Sequence, residues 1–334
     1  MPYQAIIYDK LSDAGYNVFV FYNDKKQTPY IPPYKENIYY FKNSKYDTVQ
    51  MVKKIEEINP LILVVCGWSS RKYLQVARHF KRNFKIPVVC AIDTQFLNKV
   101  KQYIGFLVSP FYLKTSFTHI WVPGVRQYEF ARRLHYDNSH IILNSLSGNV
   151  DLFNFASIKN KKYEYPKCLL YVGRYNKVKG IDILLQAWDN ILDKKGWTLK
   201  LVGNGPLKEK LLGHEFVEVL DFMEQKELTK LTENCGVFIL PSIYEPWALV
   251  LQEFAAAGLP IVCSEACGAS PHFVINGYNG YIFKTQNVDD LKSKIEKIML
   301  LSDRTLYQMA ERSRSLSNWV TPEKSVASLL SVIE

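Results

Sequence analysis

The chain has 334 residues, 48% of them apolar and 22% charged, with a formal net charge of +10. That length suits one large or two medium domains, and the apolar share supplies full cores, so a disordered chain is excluded. No apolar run approaches the roughly 18 residues a membrane-spanning helix requires, and Met1-Pro-Tyr-Gln-Ala-Ile-Ile-Tyr-Asp lacks the basic-then-apolar order of a signal peptide. Six cysteines are scattered without a C-x-x-C pair; beside apolar runs they read as buried free thiols of a reducing compartment. Residues 1–150 hold 20 Lys and Arg against 10 Asp and Glu, whereas residues 151–334 hold 22 against 22. The whole excess is therefore in the first half, interleaved with Tyr and Phe, which suits an anionic partner such as an acidic membrane face.

In chain order, residues 17–22 read as a strand, 48–58 as an amphipathic helix and 61–66 as an apolar strand closed by Gly67. A helix at 72–82, a strand at 88–92, a short strand at 120–122, a helix at 128–134 and a strand at 140–143 follow. The second half has strands at 168–172, 198–202, 217–220, 237–240, 260–263 and 280–283, with helices at 181–192, 206–212, 224–233, 248–256 and 289–300. Strands apolar on both faces alternating with helices imply parallel sheets covered by helices. The fold class is α/β, with two doubly wound Rossmann-like domains expected to face a cleft. The expected boundaries are 1–153 for the first domain, a polar linker at 154–166, and 167–316 for the second, with 317–334 returning to pack on the first.

Doubly wound sheets bind ligands at the carboxyl ends of their strands, so motifs that follow strands are the informative ones. Gly173-Arg-Tyr-Asn-Lys-Val-Lys-Gly180 lies between a strand and a helix; its glycines permit close turns, and Arg174 and Lys179 can grip phosphate oxygens. Gly203-Asn204-Gly-Pro206 follows the next strand and reads at least as a tight turn. Pro241-Ser-Ile-Tyr-Glu-Pro-Trp-Ala-Leu-Val-Leu-Gln-Glu253 follows the strand at 237–240 and spaces two carboxylates, Glu245 and Glu253, as E-x7-E. A turn running into a helix sets Glu245 beside free backbone N–H groups, a ready anion site; the plainer alternative is two solvated or capping glutamates. Cys267-Gly-Ala follows the strand at 260–263. No G-x-G-x-x-G or P-loop pattern occurs in these loops, which weakens hydride-transfer and ATPase readings.

This ordered set resembles the second domain of retaining glycosyltransferases of the GT-B fold, family 4, over residues 168–300. The resemblance implies a metal-independent transferase, with no cofactor beyond a nucleotide diphosphate sugar as co-substrate. It implies that Arg174 and Lys179 bind the donor diphosphate, that Glu245 lies near the donor sugar, and that Glu253 holds the ribose. It further implies donor contacts from Gly173, Gly203, Asn204, the backbone of Ala248, Leu249 and Val250, and Asp221 and Phe222 beside the nucleobase. No Asp-x-Asp occurs, in keeping with cationic side chains in place of a divalent ion. Two positions depart from the family: Trp247-Ala248 stands where Phe-Gly is usual, tolerable if Ala248 keeps a negative φ, and Asp93 stands where many relatives carry His, as base, acceptor anchor or cap.

In this fold the chain opens with a central strand, whereas the first residues here read as the helix that follows it. A truncated sequence or a start set downstream of the native one is the expectation, decided by the N-terminus of the intact protein. The expected acceptor is a glycan or lipid-linked hydroxyl, with an anionic membrane surface as a further partner and no nucleic acid. The expected place is the cytoplasm, with the cytoplasmic membrane face open as an alternative. The rival readings are a GT-B nucleotide-sugar epimerase, for which His272 is the main second-half acid/base candidate, and a nucleotide-sugar-binding protein without turnover.

Overall fold

The computed structural model of the chain describes residues 2–23 and 34–333, with side chains from Gln4 onward, and divides into two compact units, residues 1–147 with 320–334 and residues 148–319. The first unit begins with α1 (Pro2–Asp13), β1 (Val18–Tyr22), β2 (Ile38–Lys42), α2 (Thr48–Ile58) and β3 (Leu63–Cys66). It continues with α3 (Arg71–Asn83), β4 (Val88–Ala91), α4 (Val100–Tyr112), β5 (His119–Trp121), α5 (Val125–Arg133) and β6 (Ile141–Ile142). The helices start where the sequence supplies caps. Asp47 accepts from Gln50 N ahead of α2, and Ser70 accepts from Tyr73 N ahead of α3; each satisfies one of the backbone donors that a helix start leaves over.

Strands β3, β4, β5 and β6 pair in that order, all parallel, while β1 and β2 form a separate two-stranded parallel sheet. One edge of β1 and one of β3 thus have no strand partner among the described residues. Both strands are apolar yet only partly buried, in contrast to β4. The core on one face gathers Met51, Ile55, Leu74, Phe80, Phe117 and Phe130. On the other face Ile7 of α1 meets Val89, Trp121 and Ile142.

The second unit comprises α6 (Val150–Asn154), β7 (Cys168–Val172), α7 (Ile181–Asp189), β8 (Thr198–Val202), β9 (Val217–Leu220), α8 (Gln225–Thr232) and β10 (Val237–Leu240). It ends with α9 (Leu249–Ala256), β11 (Ile261–Ser264), α10 (Ser270–Phe273), β12 (Gly280–Phe283), α11 (Val288–Met299) and α12 (Asp303–Ser317). The chain then returns to the first unit, where α13 (Pro322–Leu330) adds Val326 and Leu329 to the cluster around Ile7. Six parallel strands run in the order β12-β11-β10-β7-β8-β9. The chain winds from β7 out to β9 and comes back to the other side of β7 as β10, so the switch of direction falls between β7 and β10. Strands β10 and β11 are buried along their whole length, as expected of sheets covered on both faces.

Several expectations are corrected. The boundary falls at residues 147–148, and the stretch 154–166 belongs to the body of the second unit. Its polar groups are used internally: Lys161 Nζ donates to the carbonyls of Thr232 and Cys235, each at 2.8 Å, and Tyr165 Oη donates to Gly236 O at 2.8 Å. Burial holds the Lys161 ammonium down to about 8. The helix expected at 206–212 is only a 3-10 turn, Lys208–Leu211; Gly203 and Gly205 hold the preceding chain at φ of 151° and 156°, and Gly213 at 81° ends the segment. Cys66 is exposed and accepts from Gln4 Nε2 at 2.9 Å, while the other five cysteines are buried, and all six are free. Strand β2, α4 and α12 were not anticipated.

The revised boundary has a direct consequence. A fragment spanning residues 148–319 should unfold cooperatively. One starting at residue 167 should melt at least about 5 °C lower or fail to fold, because it loses Phe153, Lys161 and Tyr165. Circular dichroism melts of the two fragments check this; equal stability would contradict the boundary.

Candidate functional site

At the carboxyl ends of the strands of the second unit, glycines let loops approach closer than any side chain would permit. Gly180, at φ 67°, is so placed that a Cβ would lie 2.0 Å from the Pro241 carbonyl oxygen. At Gly203 a Cβ would lie 2.0 Å from Gly173 O, and at Gly205 it would lie 2.5 Å from Tyr175 O. Tyr175 N donates to Asn204 O at 2.9 Å, and Ile243 N donates to Val178 O at 2.8 Å. The loops after β7, β8 and β10 are thereby tied together. The loop after β11 joins them through Gly268 N to Glu245 O at 2.9 Å and Ala269 N to Trp247 O at 2.7 Å.

Two tyrosines stiffen the β7 loop. Tyr171 Oη donates to Arg174 O at 2.9 Å and Tyr175 Oη donates to Leu220 O at 2.8 Å. Burial pushes both phenols well above their ordinary range, so both remain donors. Asn176 Oδ1 accepts from Lys179 N at 3.0 Å and shapes the turn into α7. Lys179 Nζ then forms an ion pair with Glu245 Oε2, and both side chains are largely shielded from solvent. Ser242 Oγ lies 3.4 Å from the same carboxylate oxygen. Arg174 is exposed and has no ion-pair partner among the described residues. Lys179 and Glu245 thus meet at the β7–β10 switch point, where doubly wound sheets bind their ligands, and Arg174 stands exposed in the same β7 loop.

The other expected residues fall around this centre unequally. Gly173, Gly203 and Asn204 form the abutting loops just described. Ala248, Leu249 and Val250 start α9, and no side chain caps that helix, so its dipole end is available to an anion. Asp221 and Phe222 follow β9 and are both exposed; Asp221 is paired with Lys208. Phe222 presents an aromatic face to solvent, of the kind on which a planar ring stacks. Asp93 belongs to the first unit, just after β4, where it is exposed and its carbonyl accepts from Gln127 Nε2 at 3.3 Å. His272 packs its ring against Trp247, with centroids 5.2 Å apart, and burial lowers its pKa.

Two findings depart from expectation. Ala248 sits at φ 85° and ψ 70°, the region an L side chain avoids, and not at the negative φ expected. The cause is local: with Glu245 O and Trp247 O both engaged by the β11 loop, the chain must reverse sharply to enter α9. Glu253 is buried on the second turn of α9, accepts from Gln225 Nε2 at 2.9 Å and also from the Asn149 backbone. Burial pushes its carboxyl up to about 7. Space for it comes from Gly148, where a Cβ would lie 2.9 Å from Glu253 Cγ. Gln225 and Gly148 were not singled out in the sequence, and nothing in their local pattern marks them.

Residues 153–316, nearly the whole second unit, match the family model of the glycosyl transferases group 1. An uncharacterized glycosyltransferase of Haemophilus influenzae is 31% identical over 192 residues, 52% of this chain and 53% of its own. The N,N'-diacetylbacillosaminyl-diphospho-undecaprenol alpha-1,3-N-acetylgalactosaminyltransferase of Campylobacter jejuni is 23% identical over 319 residues, 89% of this chain and 80% of its own. The chain spans about half the length, or less, of several relatives it matches. The Anabaena protein HepE, solved in complex with UDP, superposes with a TM-score of 0.68 at 16% identity, covering 88% of this chain and 86% of its own. The fold is that of the GT-B glycosyltransferases, with two Rossmann-like domains.

Two substitutions test the departures. Ala248→Gly should raise stability by roughly 0.5 kcal/mol or more, since relief of a left-handed alanine outweighs the flexibility glycine adds; urea unfolding measures it, and a loss would contradict the strain. For Glu253 the folded-state pKa is raised, so its contribution to stability is full below about 4.5 and is lost as pH rises through about 7. Glu253→Gln removes that loss. Its stability relative to the parent should therefore increase between pH 5 and pH 8, by up to about 3 kcal/mol, and a pH-independent difference would contradict it.

Proposed function

We propose that the chain is a retaining glycosyltransferase that moves a sugar from a nucleotide diphosphate sugar to a hydroxyl of a glycan or lipid-linked acceptor. The observation that carries the reading is the contact of Lys179 with Glu245 at the β7–β10 switch point, with Arg174 exposed in the same loop, within a unit that matches a glycosyltransferase family. The HepE complex with UDP supports a uridine nucleotide as the first donor to try. The name of the Campylobacter relative supports a lipid-diphosphate-linked acceptor.

In this reading the diphosphate lies against the glycine-rich loop after β7 and the N-terminus of α9. Arg174 grips its oxygens as a planar fork and Lys179 supplies a point charge. Lys179 is held by Glu245 until donor binding, when its charge is shared with phosphate. The bond between the sugar's anomeric carbon and the leaving phosphate oxygen breaks, with the electron pair passing to that oxygen. The acceptor oxygen bonds to the same face of the anomeric carbon, and its proton passes to the departing phosphate, so no protein nucleophile is required. Negative charge develops on the leaving group, where preorganised cations act most strongly on the rate, and no metal is assigned to that task. Glu245 orients the donor sugar, Glu253 the ribose and Phe222 the base. On the first unit, Asp93 is assigned to acceptor recognition.

A panel of nucleoside diphosphates and nucleotide sugars should raise the melting temperature of the chain for one base class, because a ligand that binds the native state alone stabilises it. Arg174→Ala should abolish most of that rise and lower kcat for sugar transfer by about 10²–10³-fold. No shift with any nucleotide, or an undiminished one in the variant, would sink the proposal.

A further inference from the structure

Helix α4 is amphipathic in the wrong sense for a core element. Its inner face is well anchored: Phe106 packs edge-on against Phe130 at 5.4 Å, Leu113 is buried, and Ser109 Oγ donates to Leu134 O at 3.2 Å. Its outer face shows Val100, Tyr103, Ile104, Leu107, Val108 and Phe111 to solvent, with Leu107 76% and Phe111 82% exposed. These positions recur at three- and four-residue spacing, so they form one continuous apolar stripe. A contiguous apolar patch of this kind on a soluble surface marks a contact with something apolar.

The charges around the stripe select what covers it. Exposed Lys99 and Lys101 flank its start, Lys114 follows its end with its ammonium over the Tyr136 ring, and residues 94–128 contain no Asp or Glu. A second copy fits poorly. Antiparallel pairing about a two-fold axis would set Lys99 and Lys101 against the partner's end of the stripe where Lys114 stands, and parallel pairing would set like against like. An apolar stripe with aromatic residues and a lysine rim matches instead the interfacial layer of an anionic bilayer, where apolar groups enter the acyl boundary and ammonium groups meet headgroup phosphates.

The same helix is joined to the loop that carries Asp93. Gln102, in its first turn, accepts from Leu97 N at 2.8 Å and donates to Gln95 O at 2.9 Å. We infer that α4 is a membrane-contact helix, lying with its outer apolar stripe in the interfacial layer of an anionic bilayer. This inference rests on the proposed transferase reading for its purpose: it sets the Asp93 loop at the level of lipid headgroups, where the reacting hydroxyl of a lipid-linked acceptor would be presented.

The test is flotation of the full chain with vesicles of phosphatidylcholine alone and with phosphatidylglycerol added. The chain should be recovered with the anionic vesicles and much less with the neutral ones. The double variant Leu107→Ser, Phe111→Ser should reduce recovery at least about tenfold, and Lys99→Gln with Lys101→Gln should reduce it in a salt-sensitive way. Both changes lie on the solvent side, so melting temperature should hold, which separates loss of binding from loss of fold. An environment-sensitive fluorophore on Ile104→Cys should shift to the blue only with anionic vesicles. Failure of the parent chain to float, or undiminished flotation of the double variant, would overturn the inference. So would a dimer in sedimentation that the double variant dissolves while no vesicle binding is seen. The nucleotide-induced rise in melting temperature, read on the same samples, reports the donor site separately, so the two readings fail independently.

Discussion

The site depends on one steric allowance, the missing Cβ at Gly180. With a side chain there, the Pro241 carbonyl would be struck at 2.0 Å, and the loop after β7 could not close on the loop after β10. Because it closes, Lys179 and Glu245, 66 residues apart in the chain, reach each other. The topology explains why this contact is worth building. β7 and β10 are neighbours although they are not consecutive, so the direction of winding reverses between them, which is where doubly wound sheets bind ligands. Gly203 against Gly173 O and Gly205 against Tyr175 O extend the same close packing to the β8 loop.

The two departures from local preference lie beside this switch point. Ala248 is held in a left-handed conformation at the start of α9, and Glu253, on the second turn of the same element, is kept out of water with Gln225 as its side-chain partner. Each costs stability, and each persists because neighbouring elements determine it: the β11 loop fixes the backbone ahead of Ala248, and Gly148 leaves room for Glu253. Strain and desolvation at a strand switch point suit a ligand site, where groups must be held ready for a partner other than the protein. A buried carboxyl whose pKa lies near 7 can also serve a hydroxyl as acceptor or donor according to its protonation.

Much of the second unit was legible because its signals are local. Runs such as Val-Phe-Ile-Leu at β10 and Ile-Val-Cys-Ser at β11 are buried on both faces, and glycine at strand ends marks loops that approach one another. What was not legible depends on distant partners. The stretch 154–166 reads as a linker until Lys161 and Tyr165 are seen bonding to backbone around α8 and β10. Gln225 and Gly148 matter only through Glu253, and no spacing in the sequence joins them. Periodicity in α4 gives an apolar face but does not say which way it points, and Ile-Tyr-Tyr-Phe-Lys at β2 becomes a strand only through its pairing to β1. The conformation of Ala248 could be raised as a question from the alanine standing where glycine is usual, yet its sign came only from the backbone.

The most direct test of the central claim is a crystal structure of the chain with a nucleoside diphosphate that it binds. The account predicts the diphosphate against the loop from Gly173 to Gly180 and the first turn of α9, with Arg174 and Lys179 on its oxygens and the Lys179–Glu245 contact loosened. A nucleotide seated elsewhere, or a diphosphate held by other groups while Lys179 stays locked to Glu245, would contradict it.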